Sequence, residues 1–489
     1  MKKILLLLVA ATFFSCSKDE DLILPSTVNP DGSADVEVQD FMWKAMNFWY
    51  FWQANVDDLA DDRFVNTAEG RAEYTSFLDS ENNPADFFEN KLQYIEDRFS
   101  FYNSDYRELT NSLAGISKSN GLEFGLVRFQ DSDEVFGFVR YIIPNSNAAT
   151  ADIQRGDLFT GVNGTTLTID NFEELLFTGS DTYTLNMADF VNGDIVPNET
   201  EVVLTKEQEL AENPILISKS FEIGGENIGY IMYNQFTNEY DDQLYSAVQA
   251  LKSAGITNLI MDLRYNPGGS VNTTRLLASM IYGTNTSDVF LRKRYNDKLQ
   301  EQFNDSQLEV YFTDKIGGQS INTLGLSKLY VLTSASSASA SELLINSLEP
   351  YIDVIQIGDV TRGKNEFSTT MVDDRDNSYL YTPSRVNKIN PNNQWAIQPL
   401  IGRNENAEGF SDYTDGLQPD ILLKEDYSNL GILGDQNEPL LARAIQAITG
   451  QTGKRDFTVK HPVDVISSSK TPNLMNNKMI DDTVYDLAF

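Results

Sequence analysis

An apolar run, Leu329-Tyr330-Val331-Leu332, gives way to four serines within six residues, Ser336-Ser337-Ala338-Ser339-Ala340-Ser341. Apolar residues then resume at Leu343-Leu344-Ile345. The first run reads as a buried strand and the second as the start of a helix. Strand, tight turn and helix in succession constrain the chain to a layered α/β core at this point. The same turn holds a serine outward, beside the free backbone amides of a helix N-terminus, where a hydroxyl can attack a carbonyl. A serine alone is a poor nucleophile and needs a base. Histidine is nearly absent: the one in the chain, His461, stands in a polar C-terminal stretch. Thr361-Arg362-Gly363-Lys364 follows the serines closely, and Lys364 is the candidate base.

The 489 residues are enough for about three domains of ordinary size. Met1-Lys2-Lys3 and the apolar Ile4 to Ala11 form a leader, taken as residues 1–15. Cys16 follows and is the only cysteine, so it has no intramolecular disulfide partner. Its position resembles that of the lipid-modified cysteine of bacterial lipoproteins. That resemblance implies a membrane anchor at Cys16 and an outer-membrane protein of the cell envelope, periplasmic or surface-exposed. Residues 16–35 read as a flexible tether, and Ser17-Lys18-Asp19-Glu20-Asp21 resembles an acidic surface-export tag. The net charge of −35 repels phosphate backbones and argues against a nucleic-acid partner.

Residues 36–112 show helical spacing. Val38, Phe41, Met42, Ala45, Phe48, Trp49 and Trp52 share one face, and Phe88, Leu92, Ile95 and Phe99 repeat the pattern. Residues 113–206 change to short strands and turns. Ala148-Ala149, Gly156-Asp157 and Asn163-Gly164, with Gly121 to Leu126 before them, resemble a PDZ domain. The resemblance implies that Phe124, Gly125 and Leu126 form a loop whose amides bind a peptide carboxylate. Asn147 and Asp152 stand where that family often has proline and glycine. Lys206 to Asn213 reads as a polar linker. Residues 207–450 then alternate strands and helices, and residues 451–489 read as a loosely ordered polar tail.

Within the α/β part, Asp262-Leu263-Arg264-Tyr265-Asn266-Pro267-Gly268-Gly269 turns sharply into a helix. This turn, the serine motif through Glu342, Arg362-Gly363-Lys364 and the late Gly416 to Asp420 turn come in one order. Together they resemble the carboxyl-terminal processing (tail-specific) proteases, which use a serine–lysine dyad. The resemblance covers residues 113–450. It implies a multidomain α+β chain: a small helical domain, a PDZ-like β domain and an α/β protease core of crotonase-like ββα spiral form. It implies Ser339 as nucleophile and Lys364, 25 residues later, as base. Gly268, Gly269 and the amide of Ala340 would form the oxyanion hole. Ser341 is the second choice for nucleophile. Where many members carry a lysine-orienting glutamine, four residues after the lysine, this chain has Ser368.

Chemically, a lysine amine can act as a base if burial lowers its pKa. Glu366 would oppose that by holding the amine charged if it pointed inward. The expected activity is a serine endopeptidase acting on protein or peptide substrates with a free C-terminus. No cofactor is needed, and no cysteine–histidine spacing suggests a metal site. The alternative is an inactive peptide-binding lipoprotein of the same fold, motivated by Ser368. A glycan-acquisition lipoprotein, suggested by Cys16 and the aromatic helices, leaves the serine and glycine motifs without a role.

Overall fold

The computed structural model describes residues 28–451, 455–474, 476–482 and 484. The leader and Cys16 lie outside the described residues. Residues 28–35, expected as tether, are anchored instead. Val28 is buried, and Asp31 N–H donates to Thr75 Oγ1 at 2.8 Å.

Helix α1 (Glu37–Trp49) buries Phe41, Met42, Ala45, Phe48 and Trp49, as its spacing predicts. The second predicted face is cut short. A helical turn ends at Leu92, Ile95 is 93% exposed, and the chain makes a tight turn at Ile95-Glu96 before Phe99. The helical section does not close a core of its own. Its aromatic side chains belong to one continuous apolar core with those of the C-terminal half. Polar contacts reinforce the join: Trp49 Nε1 donates to Ser378 O at 2.8 Å, and Asn296 Nδ2 to Phe48 O at 3.1 Å. Each such fully buried aromatic contributes on the order of 2–3 kcal/mol from burial alone.

The next unit is an antiparallel sheet of β1 (Leu122–Arg128), β2 (Val135–Ile142), β3 (Leu158–Val162), β4 (Thr182–Val191) and β5 (Asp194–Thr205). It encloses its own core, which includes Phe124, Leu126, Phe159 and Leu185. A side ladder pairs Ile116–Ser119 with Glu207–Ala211, so the unit closes near residue 211 rather than 206. The expected linker is therefore largely strand. Its ladder is polar and mostly exposed, which hides it from a reading based on hydropathy.

The large domain begins with β6 (Ile215–Ile223) and β7 (Glu226–Tyr233), then α2 (Asp241–Ser253) and β8 (Asn258–Asp262). A two-residue strand, β9 (Gly269–Ser270), leads into α3 (Val271–Ile281), followed by β10 (Val289–Tyr295) and β11 (Lys328–Thr333). Then come α4 (Ala340–Leu348), β12 (Asp353–Gly358), β13 (Glu366–Ser368), β14 (Leu400–Glu405), β15 (Ile421–Leu422) and α5 (Pro439–Thr449). One sheet has the order β6-β7-β8-β11-β12-β15 and is parallel from β7 onward. Both of its faces are covered, as a parallel sheet requires. Leu329 and Val331 of β11 face α4, whereas Tyr330 and Leu332 face α5.

The expectation of a loosely ordered tail fails. Val465–Ser468 (β16) joins the edge of β1, and Met479–Ile480 (β17) enters a second sheet of order β9-β17-β13-β14-β10, with Glu309–Tyr311 paired at the far edge of β10. Met479, Ile480 and Asp481 are buried. Two apolar residues in a polar stretch are too short a signal to register as a strand.

Candidate active site

Parallel strands β8 and β11 end side by side, and the loops after their C-terminal ends build the site. This is the end of an open α/β sheet at which ligands bind. The loop after β11 carries the four serines, and their hydroxyls have different fates. Ser336 Oγ accepts from Arg140 Nη2 at 3.1 Å. Ser337 Oγ donates to Leu263 O at 2.8 Å, and Ser341 Oγ to Asn266 O at 3.1 Å. Ser339 Oγ alone among the four has no hydrogen-bond partner, although it is buried. Ser339 also has φ +64°, ψ −112°, a conformation that non-glycine residues rarely hold. Its side chain lies against Gly268, where an added Cβ would meet Ser339 Oγ at 2.8 Å, and the second-choice Ser341 is tied into the framework.

Glu342 joins the two motifs. Its carboxylate accepts from Ser339 N and Gly363 N, both at 2.6 Å, from Lys364 N at 2.9 Å and from Thr361 Oγ1 at 2.5 Å. Burial pushes the Glu342 carboxyl above the usual carboxylate range, and these donors pull against it. The late turn supports the same loop. Leu417 N–H donates to Thr361 Oγ1 at 2.7 Å, and a Cβ on Gly416 would lie 2.2 Å from Thr361 O.

Lys364 is fully buried. Burial brings its amine down to about 7, against the opposing pull of Glu366, Asp97 and Glu342. Glu366 does not pair with it; its carboxylate meets Arg403 at 2.8 Å. The Phe99 ring centroid lies 5.0 Å from Lys364 Nζ, and Arg98 Nη2 donates to Gly363 O at 2.6 Å. The helical section thus supplies one wall of the lysine pocket. Lys364 Nζ donates to Asn477 O at 2.7 Å rather than to Ser339 Oγ, so amine and hydroxyl share no hydrogen bond.

The three predicted oxyanion donors separate. Gly268 N–H is spent on Asn266 Oδ1 at 2.9 Å, which corrects its assignment. Gly268 still matters sterically, because a Cβ there would meet Ser339 Cβ at 2.6 Å. Gly269 N–H donates to a peptide carbonyl, Lys478 O, at 2.7 Å. Ala340 opens α4, so its N–H has no acceptor within the helix. Phe124, Gly125 and Leu126 are not a loop. They lie in the middle of β1, between β2 and β16. Their edge nonetheless carries an added strand, since Ser467 and Ser468 pair with Leu126 and Gly125.

Residues 37–101 match the profile of the peptidase S41 N-terminal domain, and residues 227–421 match that of peptidase family S41. The chain belongs to peptidase family S41. A crystal structure from Bacteroides fragilis NCTC 9343, assigned to the S41 proteases, superposes with TM-score 0.63 at 26% identity. It covers 87% of this chain and 100% of the other. Among curated relatives, a protein of Staphylococcus aureus (strain COL) named "Probable CtpA-like serine protease" is 24% identical over 61% of this chain. A "Carboxyl-terminal-processing protease" of Picosynechococcus is 24% identical over 53% of this chain. The chain spans 55% and 57% of the lengths of these two relatives.

Several residues of this S41 site were not legible in the sequence. Gln398 Nε2 donates to Ser368 Oγ at 3.1 Å, bringing an amide from another strand to the place where a family glutamine is absent. Beneath the glycine turn lies a buried charge cluster. Arg264 holds Asp262 at 2.8 Å and Glu438 at 2.7 Å, and it shares Glu425 with Arg155 of the preceding sheet unit. Although burial opposes it, Arg155 and Arg264 hold Glu425 down at about 2. Asp262 and Arg264 apart, these partners are separated by tens to hundreds of residues, and no local pattern announces them. His461 meets Phe190 edge to face at 4.8 Å and contacts Tyr427, outside the catalytic cleft.

Proposed function

We propose that the chain is a serine endopeptidase of the carboxyl-terminal processing type, with Ser339 as nucleophile and Lys364 as base. One observation carries the reading. A strained, unpartnered hydroxyl at a strand-to-helix turn is tied through the Glu342 carboxylate to the loop of a buried amine brought down to about 7. Ser339 Oγ adds to the substrate carbonyl carbon as its proton passes to Lys364 Nζ. Charge collects on the carbonyl oxygen, where the amides of Gly269 and Ala340 receive it; such a donor is worth about 3 kcal/mol. Lys364 returns the proton to the leaving nitrogen, and water releases the acyl group. The hydroxyl–amine contact forms once the Asn477 carbonyl leaves Lys364, since catalytic hydrogen bonds tighten only around substrate.

The β1–β5 unit is read as PDZ-like and the large domain as a crotonase-like spiral. The edge of β1 that β16 covers is the place where a substrate C-terminus would add a strand in its stead. Cys16 is read as the lipid anchor of an envelope protein of the outer membrane; among the described residues no helix is long and apolar enough to cross a bilayer.

To test the activity, the chain lacking residues 1–16 is incubated with unfolded casein and the products are weighed by mass spectrometry. Wild type should cut and Ser339→Ala should not. Equal cleavage by both rejects the assignment. The second reading, an inactive peptide-binding protein, is favoured by the Lys364–Asn477 hydrogen bond, which leaves the dyad unjoined. Peptide binding without turnover by wild type at every pH up to 10 would establish it.

A further inference from the structure

The C-terminal segment runs over both places that a substrate would occupy. β16 pairs antiparallel with β1, and Ser469 N–H donates to Phe124 O at 3.1 Å while Ser469 Oγ accepts from Phe124 N at 3.0 Å. Ten residues on, the same segment passes the nucleophile. Lys478 O accepts from Gly269 N–H at 2.7 Å, and Asn477 O accepts from Lys364 Nζ at 2.7 Å. A Cβ placed on Gly268 would meet Lys478 O at 2.5 Å and Ser339 Oγ at 2.8 Å, so this carbonyl oxygen and the hydroxyl border the same small volume.

Both sides of this carbonyl are held. Lys478 Nζ donates to Phe99 O at 3.0 Å and lies 3.7 Å from the Phe101 ring centroid. After it, Met479 and Ile480 pair in parallel with Gly269 and Ser270. Asp481 forms a buried ion pair with Lys293 at 2.6 Å, and Asp482 accepts from Ser270 Oγ at 2.7 Å. A structural anchor gains nothing from burying a lysine between an aromatic ring and a second buried lysine, because a desolvated amine costs stability. A peptide laid through a cleft in register has its side chains placed by the cleft whatever the cost.

Resting on the reading of Ser339 and Lys364 above, we propose that Lys478–Met479 is a self-cleavage site and that the chain is its own first substrate. As the Asn477 carbonyl swings off Lys364, Ser339 Oγ bonds to the Lys478 carbonyl carbon while its proton moves to neutral Lys364 Nζ, and Gly269 N–H holds the oxyanion. The carbon–nitrogen bond to Met479 breaks, Lys364 delivers the proton to that nitrogen, and the peptide 479–489 leaves. A water, giving a proton to Lys364, adds to the Lys478 ester. Ester cleavage regenerates Ser339 and leaves a carboxylate at Lys478. The segment that closes the cleft is removed by the reaction it blocks.

The test is intact-mass measurement of the purified chain through Phe489 over several hours at pH 8, at two protein concentrations tenfold apart. Wild type should lose residues 479–489 at a rate that does not change with concentration. Ser339→Ala, whose missing hydroxyl has no partner to lose, should keep them. Met479→Pro should also keep them and, with its cleft still covered, should cut unfolded casein far more slowly than wild type. A wild type that cuts casein but retains Phe489, or that loses a fragment starting elsewhere, overturns the inference and leaves the proposed function standing. A loss rate proportional to concentration overturns the intramolecular step. A wild type that cuts neither itself nor casein defeats the proposed function, and this inference with it.

Discussion

The lysine amine gives the most quantitative prediction, and the perturbation is pH alone. Burial takes Lys364 from 10.5 to about 7. That shift favours the neutral over the charged amine by about 5 kcal/mol relative to water. The base form is neutral, so activity requires pH above the folded value: roughly half of the amines are competent at pH 7 and roughly a tenth at pH 6. An unshifted lysine would be competent at pH 7 in fewer than about one molecule in a thousand. The assay is kcat/KM for an internally quenched peptide between pH 5.5 and 10, which reports groups of the free enzyme. The expected profile rises about tenfold per unit below pH 7 and levels above it. A rise centred near pH 10, or a flat profile, would refute the argument that burial makes this amine a base.

The same shift predicts stability. Between pH 7 and 10.5 the unfolded chain binds more protons at this lysine than the folded one, so wild-type stability should rise with pH by up to about 1.4 kcal/mol per unit relative to Lys364→Met. Paired urea titrations measure this difference. Glu342→Ala strands three backbone N–H groups and the Thr361 hydroxyl and should lower stability by about 3 kcal/mol or more while abolishing turnover, read by calorimetry and peptide assay. Arg155→Ala leaves Glu425 partly unpaired in a buried cluster and should cost about 3 kcal/mol in urea unfolding. Gly269→Ala should not yield active protein: its φ is +134°, and a Cβ would sit 2.1 Å from Phe236 O, which a solubility and activity measurement checks.

What was legible in the sequence was local. The serine turn, the glycine turn and the lysine loop each carry backbone demands that only certain residues meet, and each lies where expected. Ser339 was chosen from four serines by resemblance, and the structure separates it from the other three by hydrogen bonding. What was missed depends on distant pairing. Gly268 looked like a donor because nothing nearby indicates that Asn266 takes its N–H. Phe124 to Leu126 read as a carboxylate-binding loop by resemblance to PDZ domains, yet a glycine under the Phe138 ring also suits a strand. The C-terminal segment looked solvated because its burial comes from partners 100 to 350 residues away, such as Asn477 on Lys364 and Ser469 on Phe124. The helical section looked separate because periodicity shows that a face is buried, not what buries it.

The most direct test of the central claim is to locate covalent modification after treatment with a peptidyl fluorophosphonate, by peptide mapping of wild type and Lys364→Met. The account predicts a single adduct on Ser339, formed in wild type at a rate that rises with pH around 7, and at least about a hundredfold slower in Lys364→Met. An adduct on another serine, or equal rates on Ser339 with and without the amine, would contradict it.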